Sequence, residues 1–335
     1  MRKIYLLIIF VFYSVISYGR PGAEMPDTSG FHELTMYVFA PAVDIKWDSP
    51  SVLYKSVLAS YINKLLHPQK RFLGHMAFRL NSTLLKKPLY VGIASDGVKD
   101  MRAQLFKHKI GLGLLGYPFT ARMETEEMLK PAIAYNASKK KMAFIKYRIN
   151  AAAAERILAF LASFSKKFNN RYAPNDFYGG AFWPLYDIEG SGCSALCLAA
   201  LASGNLLFEE AENWKVKCKI PISLIGGDVN GGKKIKIAEV KKSRSWHTGA
   251  GIENKDYVDF EIYDPGALFK WIHATRSAKQ TAYSPLTENN MPGLYIDCRN
   301  INASDGQAIR EREKPNLFLD EYYRKVRIDY TAMRP

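Results

Sequence analysis

Gly190-Ser191-Gly192-Cys193-Ser194-Ala195-Leu196-Cys197-Leu198-Ala199-Ala200-Leu201-Ala202-Ser203-Gly204-Asn205 is an uncharged, largely apolar segment around which the rest of the chain must pack. Between Cys193 and Ser203 it contains only Ala, Leu, Ser and Cys, so a helix formed there has no polar side to present to water and is buried all round. Glycines flank its start, and Gly204-Asn205 supplies the stop. The cover for such a helix must come from the segments on either side.

Working toward the N-terminus, residues 151–168 put Ile157, Leu158, Phe160, Leu161 and Phe164 on one side of a second helix, with Lys166 and Lys167 expected in its last turn. Residues 72–80 change the period to two. One face carries Phe72, Met76, Phe78 and Leu80, the other Leu73, His75, Ala77 and Arg79, which predicts a strand with one polar position in an otherwise packed row. A neighbouring strand is expected at 89–95, a helix at 51–66 and a further strand at 34–43. Toward the C-terminus, strands are expected at 220–225, 234–240, 246–252 and 257–263, with Asn254-Lys255 turning the last two into a hairpin. A short helix at 267–278 and a loop at 279–293 follow. The fold class these elements imply is α+β, one compact unit with the buried helix packed on an antiparallel sheet.

Composition narrows the functional class. The chain has 335 residues, 48% of them apolar and 24% charged, with 16 Pro and 23 Gly, which excludes whole-chain disorder, a collagen-like repeat and a coiled coil. Lys and Arg number 47 against 32 Asp and Glu, a net charge of +15 that points to an anionic partner. The basic runs Lys139-Lys140-Lys141, Lys233-Lys234-Ile235-Lys236 and Lys241-Lys242-Ser243-Arg244 fit a solvated face drawn to an envelope polyanion; no nucleic-acid module accompanies them.

The first residues bear on compartment. Arg2 and Lys3 precede an uncharged apolar run at 4–16, and Ser17 and Gly19 are small, the pattern of a secretory signal peptide cleaved after Gly19. The run is short against the roughly 20 residues that a spanning helix needs, so the mature protein is expected to be exported, with no transmembrane span. Gly111-Leu112-Gly113-Leu114-Leu115-Gly116 spells a dinucleotide fingerprint, but basic residues precede it and Tyr117-Pro118 follows where a helix should open. Neither a metal site nor a cofactor is indicated.

Cys193 carries the chemical signal. A thiol in the first turn of a helix feels the positive end of the dipole and unpaired backbone N–H groups, both of which favour thiolate. Gly192 and its neighbours would let substrate approach those N–H groups, an arrangement suited to an oxyanion. A thiolate nucleophile needs a base. His75, after Gly74 on the strand at 72–80, is one candidate. His247 is the other, because the expected hairpin would set it diagonal to Asp264, which could orient it.

The series Gly74-His75-Met76-Ala77-Phe78 on a strand, then a helix, then Tyr172 and Tyr178, then Gly192-Cys193-Ser194-Ala195-Leu196 opening an apolar helix resembles the circularly permuted papain-like cysteine hydrolases, relatives of the NlpC-type cell-wall peptidases. The resemblance covers residues 70–205. It implies Cys193 as nucleophile and His75 as base, with a third polar residue on the strand after the histidine, where this chain offers Ser95 or Asp96. The order Cys193, His247, Asp264 is instead similar to that of transglutaminase-like and unpermuted papain-like enzymes.

The resulting expectation is a signal peptide at 1–19, an N-terminal segment at 20–69, a papain-like core at 70–205 and a β-rich extension at 206–335 packed on it. Its activity would be that of a cysteine peptidase or amidase on a cell-wall peptide or another envelope substrate, the alternative being a non-catalytic basic protein that binds an anionic envelope polymer. Four cysteines are too few for a disulfide scaffold. Cys218 and Cys298, outside the helix, are either a bridge or two buried free thiols.

Overall fold

The computed structural model describes residues 30–66, 73–96, 98–168, 171–279, 282–314, 316–320 and 322–323. The expected signal peptide and its cleavage site lie outside them. Among the described residues ten strands run in chain order: β1 (His32–Phe39), β2 (His75–Ser82), β3 (Leu89–Ser95), β4 (Phe119–Glu124), β5 (Met142–Arg148), β6 (Phe177–Tyr178), β7 (Lys215–Pro221), β8 (Tyr257–Tyr263), β9 (Ser284–Glu288) and β10 (Met291–Asp297). The helices are α1 (Pro50–Leu66), α2 (Glu126–Ser138), α3 (Ala151–Phe164), α4 (Cys193–Ser203), α5 (Ile237–Lys242) and α6 (Pro265–Thr275), with a short helical turn at Val98–Arg102.

Eight strands form one sheet in the order β6-β4-β3-β2-β1-β5-β10-β9. Every pairing is antiparallel except β5 with β10, so the fold is α+β with a mostly antiparallel sheet. Strand β1 sits in the middle, and all eight of its residues are buried. Its two side-chain rows feed two cores. Met36 and Val38 join Met76, Phe78 and Ile145 against Ile157 of α3 and Leu198 of α4, while Tyr37 and Phe39 join Ala77 and Phe144 against Leu129 of α2. Helices therefore cover both faces.

Helix α4 behaves as its composition demands, with ten of its eleven residues buried. Leu196, Leu198 and Leu201 each contribute about 1.5–3 kcal/mol by leaving water, which far outweighs the poor helix propensity of its serines and cysteines. Helix α3 is capped by Asn150, whose side chain accepts from the Ala153 N–H at 2.9 Å. It stops at Phe164, short of the expected end, so Lys166 and Lys167 lie beyond its last turn.

A smaller core closes around the two-stranded sheet β7–β8, where Ile220, Val258 and Phe260 meet Ile225, Ile235, Val240 and Phe318. Here the structure corrects the expected strands. Residues 246–252 are irregular, because Gly249 (φ +94°) and Gly251 (φ +111°) take backbone angles outside the extended region. The hairpin at Asn254-Lys255 is absent; β8 pairs with β7 instead. The expected strand at 234–240 gives way to α5, whose start is held by Glu239 accepting from the Lys236 N–H at 3.0 Å. The expected loop at 279–293 contains β9 and the start of β10, paired from Met291↔Glu288 to Tyr295↔Ser284. The expected segments at 20–69 and 206–335 both supply strands to the large sheet, so that sheet spans their boundaries with 70–205.

Candidate active site

Cys193 is the first residue of α4, with Gly192 extended as the N-cap (φ −89°, ψ 166°). The N–H groups of this first turn have no partner within the helix, and the dipole adds to their pull on negative charge. The thiol reaches His75, the first residue of β2, and the hydroxyl of Tyr178 on β6, which lies 3.8 Å from Sγ. Gly74 precedes His75 with φ +79° and lies close to the Phe39 carbonyl; the turn into β2 depends on a glycine there.

His75 is buried, and its Nε2 is hydrogen-bonded to Oε2 of Glu124 at the end of β4. With Nε2 engaged, Nδ1 is the ring atom left to exchange a proton with the thiol. Strand β3 runs between the two, and it makes room by carrying Gly92 opposite Glu124. A Cβ on residue 92 would fall 2.6 Å from Glu124 Oε2. The series Cys193, His75, Glu124 thus has the order of nucleophile, base and orienting carboxylate.

The electrostatics follow from these contacts. Burial alone would push the Cys193 thiol up, but the hydrogen bond and positive charge of His75, aided by the Met76 backbone and the Tyr178 hydroxyl, bring it down to about 7. Burial works to lower His75, yet its bonds to Cys193 and Glu124 outweigh it and hold the imidazolium up to about 9. Between those values the pair is thiolate and imidazolium. Tyr178 is pushed well above the ordinary phenol range, first by burial and then by the thiolate, so it stays neutral and donates. The other three thiols are free and buried, and burial raises each of them, Cys218 and Cys298 to about 12. Of the two alternatives for Cys218 and Cys298 the structure has the buried free thiols: Cys218 belongs to the smaller core and Cys298 to the larger one.

The loop before the nucleophile is fixed from an unexpected direction. Glu189 is fully buried and accepts from Arg312 (Nε 2.5 Å, Nη2 2.9 Å), from the Tyr323 hydroxyl at 2.6 Å and from the Trp183 N–H at 2.8 Å. Its neighbour Ile188 is left-handed (φ +59°), and its carbonyl accepts from the Tyr322 hydroxyl at 2.5 Å. Downstream, Ser191 donates to the Phe177 carbonyl at 3.0 Å, tying this loop to the strand that carries Tyr178.

The remaining expected residues are placed elsewhere. Ser95 lines the cleft, and Asp96, largely exposed, is paired with Arg122 at 3.6 Å. The carboxylate on His75 comes from one strand further along the sheet than the resemblance implied. His247 stacks on Tyr257 with ring centroids 4.9 Å apart, and its Nδ1 accepts from the Gly249 N–H at 3.0 Å. Asp264 caps α6, its two oxygens accepting from the Gly266 N–H at 2.7 Å and Trp47 Nε1 at 3.0 Å. The rival series Cys193, His247, Asp264 is not assembled, because the hairpin it required does not form.

Cys193 opens onto a largely apolar cleft of about 1490 Å³, walled by Tyr61, Phe119, Trp183 and Ile262 among others. Among the described residues there is no cluster of three His, Cys, Asp or Glu able to hold a metal ion, and no helix long and apolar enough to cross a membrane. No protein-family model matches this chain, and no solved structure matches it.

Proposed function

We propose that this protein is an exported cysteine hydrolase of permuted papain-like architecture that cleaves an amide in a cell-wall peptide or another envelope substrate. The observation that carries the proposal is the buried chain of contacts from Cys193 through His75 to Glu124 at the mouth of a large cleft. The order of histidine strand before nucleophile helix supports the architecture, and the apolar run at 4–16 after Arg2 and Lys3 supports export.

In this reading the Cys193 thiolate attacks the carbonyl carbon, and the oxyanion is met by N–H groups at the start of α4 and by the Tyr178 hydroxyl. His75 gives its proton to the leaving amine as the C–N bond breaks, which leaves an acyl-thioester on Cys193. Neutral His75 then takes a proton from water, hydroxide adds to the thioester, and the thiolate departs with the acid product. Glu124 holds the ring and stabilises its charged form. The test is turnover of cell-wall peptides by wild type, Cys193→Ala, His75→Ala and His247→Ala, with circular dichroism to confirm folding. Loss in the first two variants and retention in the third supports the reading. Equal turnover by wild type and Cys193→Ala removes it, and no turnover by wild type favours an envelope-binding protein without catalysis.

A further inference from the structure

Helix α1 is placed with its polar side inward. Ser51, Ser56 and Ser60 are buried, and the last two accept from the backbone of the preceding loop, Ser56 from the Lys46 N–H at 3.0 Å and Ser60 from the Val43 N–H at 3.3 Å. The apolar stripe faces out: Leu58 is 39%, Ile62 49%, Leu65 57% and Leu66 72% exposed. Spaced at i, i+4, i+7 and i+8, these side chains form one face. A soluble helix ordinarily does the reverse, so this stripe calls for an apolar partner outside the molecule.

The stripe continues onto the rim of the cleft. Leu58 lines the cleft mouth together with Leu73 and Phe106, themselves 42% and 64% exposed. Arg102 bridges the two sides by hydrogen-bonding the Tyr61 hydroxyl. Acidic and basic residues both line the far wall of the cleft, but on the α1 side basic residues predominate. Helix α1 contains Lys55 and Lys64 and no acidic residue, and residues 100–109 carry Arg102, Lys107 and Lys109 against Asp100 alone. The Lys109 backbone carbonyl accepts from the Ile235 N–H at 2.7 Å, which brings the basic run at 233–236 alongside. The acidic groups closest in sequence to that run are Asp228 and Glu239, and Glu239 is engaged in capping α5.

An aliphatic stripe with no polar atoms to match a folded partner, bordered by lysines, has the composition of a helix that lies in a lipid interface. We propose that the outer face of α1 and the rim at Phe106 dock on a bilayer with anionic headgroups, with the cleft mouth turned toward that surface. The apolar side chains would enter the acyl boundary, and the lysines would stay at headgroup level. Docking requires no catalysis and stands independently of the hydrolase reading.

The experiment is co-sedimentation of the full chain with phosphatidylcholine vesicles, with and without phosphatidylglycerol, at low and high salt. Wild type should bind the anionic vesicles, more weakly as salt rises. Ile62→Ser with Leu65→Ser should weaken binding about tenfold or more, since both side chains leave the acyl layer. Lys107→Glu with Lys109→Glu should do likewise, because each basic residue near an anionic surface is worth about 1 kcal/mol. All four positions are exposed, so the fold should be kept. Equal binding to neutral vesicles, or unchanged binding by both variants, would overturn the proposal, and the latter would assign membrane affinity to the apolar run at 4–16. Absence of vesicle binding by wild type would overturn it in favour of a protein partner for the stripe.

Discussion

Gly92 lies directly opposite Glu124 in the β3–β4 pairing, and the carboxylate that holds His75 occupies the space where a side chain on residue 92 would stand. A glycine inside a strand costs stability and needs a reason; here the reason is room for a buried acid between two strands. Gly92→Ala should push Glu124 from its place, costing about 1–3 kcal/mol of stability through overpacking and lowering turnover while Cys193 remains in place. Glu124→Gln, which keeps the shape and removes the charge, should lower kcat by about 10²-fold and lower thermal stability as well, because the buried imidazolium loses its stabilising partner. Steady-state kinetics and thermal melts of the two variants check this.

The pH dependence follows from the opposite shifts of Cys193 and His75. Cys193 is lowered to about 7, so the nucleophile is present above that pH; His75 is raised to about 9, so the proton donor is present below it. The profile of kcat/KM should rise through about pH 7 and fall past about pH 9, and both limbs belong to the pair. Removal of the His75 charge in His75→Ala should abolish the alkaline limb.

The Glu189–Arg312 pair gives a prediction about the far end of the chain. Arg312→Met leaves a fully buried carboxylate without its cation, which should cost about 3–5 kcal/mol. Because the carboxylate anchors the loop entering Cys193, activity should fall as well. Glu189→Gln combined with Arg312→Met should recover much of the stability, since no buried charge is left unpaired. Urea titration of both single variants and the double variant measures the recovery.

All four cysteines should be found as thiols when the native, unreduced protein is mapped, and limited alkylation at mildly acidic pH should mark Cys193 first. Cys197 sits one turn deeper in α4 and is raised by burial, as are Cys218 and Cys298. Preferential labelling of any of those three would contradict the site.

Some of this was open to reading from sequence, and the limits are physical. Helix α4 and strand β3 fall where expected, since composition and period are local properties. The apolar stretch at 34–43 points to strand β1 but not to its place at the centre of the sheet, because its partners β2 and β5 are distant in sequence. The pairing of His75 with Glu124 requires the strand order β4-β3-β2, which no periodicity contains; the one local sign was Gly92 inside a strand. His247 and Asp264 were brought together only by a hairpin that Gly249 and Gly251 do not permit. For α1 the spacing located the stripe but not the side it would face, and the serine contacts to residues 43 and 46 decided that.

The most direct test of the central claim, that His75 activates Cys193, is the rate of Cys193 alkylation as a function of pH in wild type and in His75→Ala. The wild-type midpoint should lie at about 7 and the variant midpoint should shift upward, above the range of an ordinary thiol, because burial then acts on the thiol without the opposing charge. An unchanged midpoint in His75→Ala, or a shift produced instead by His247→Ala, would contradict it.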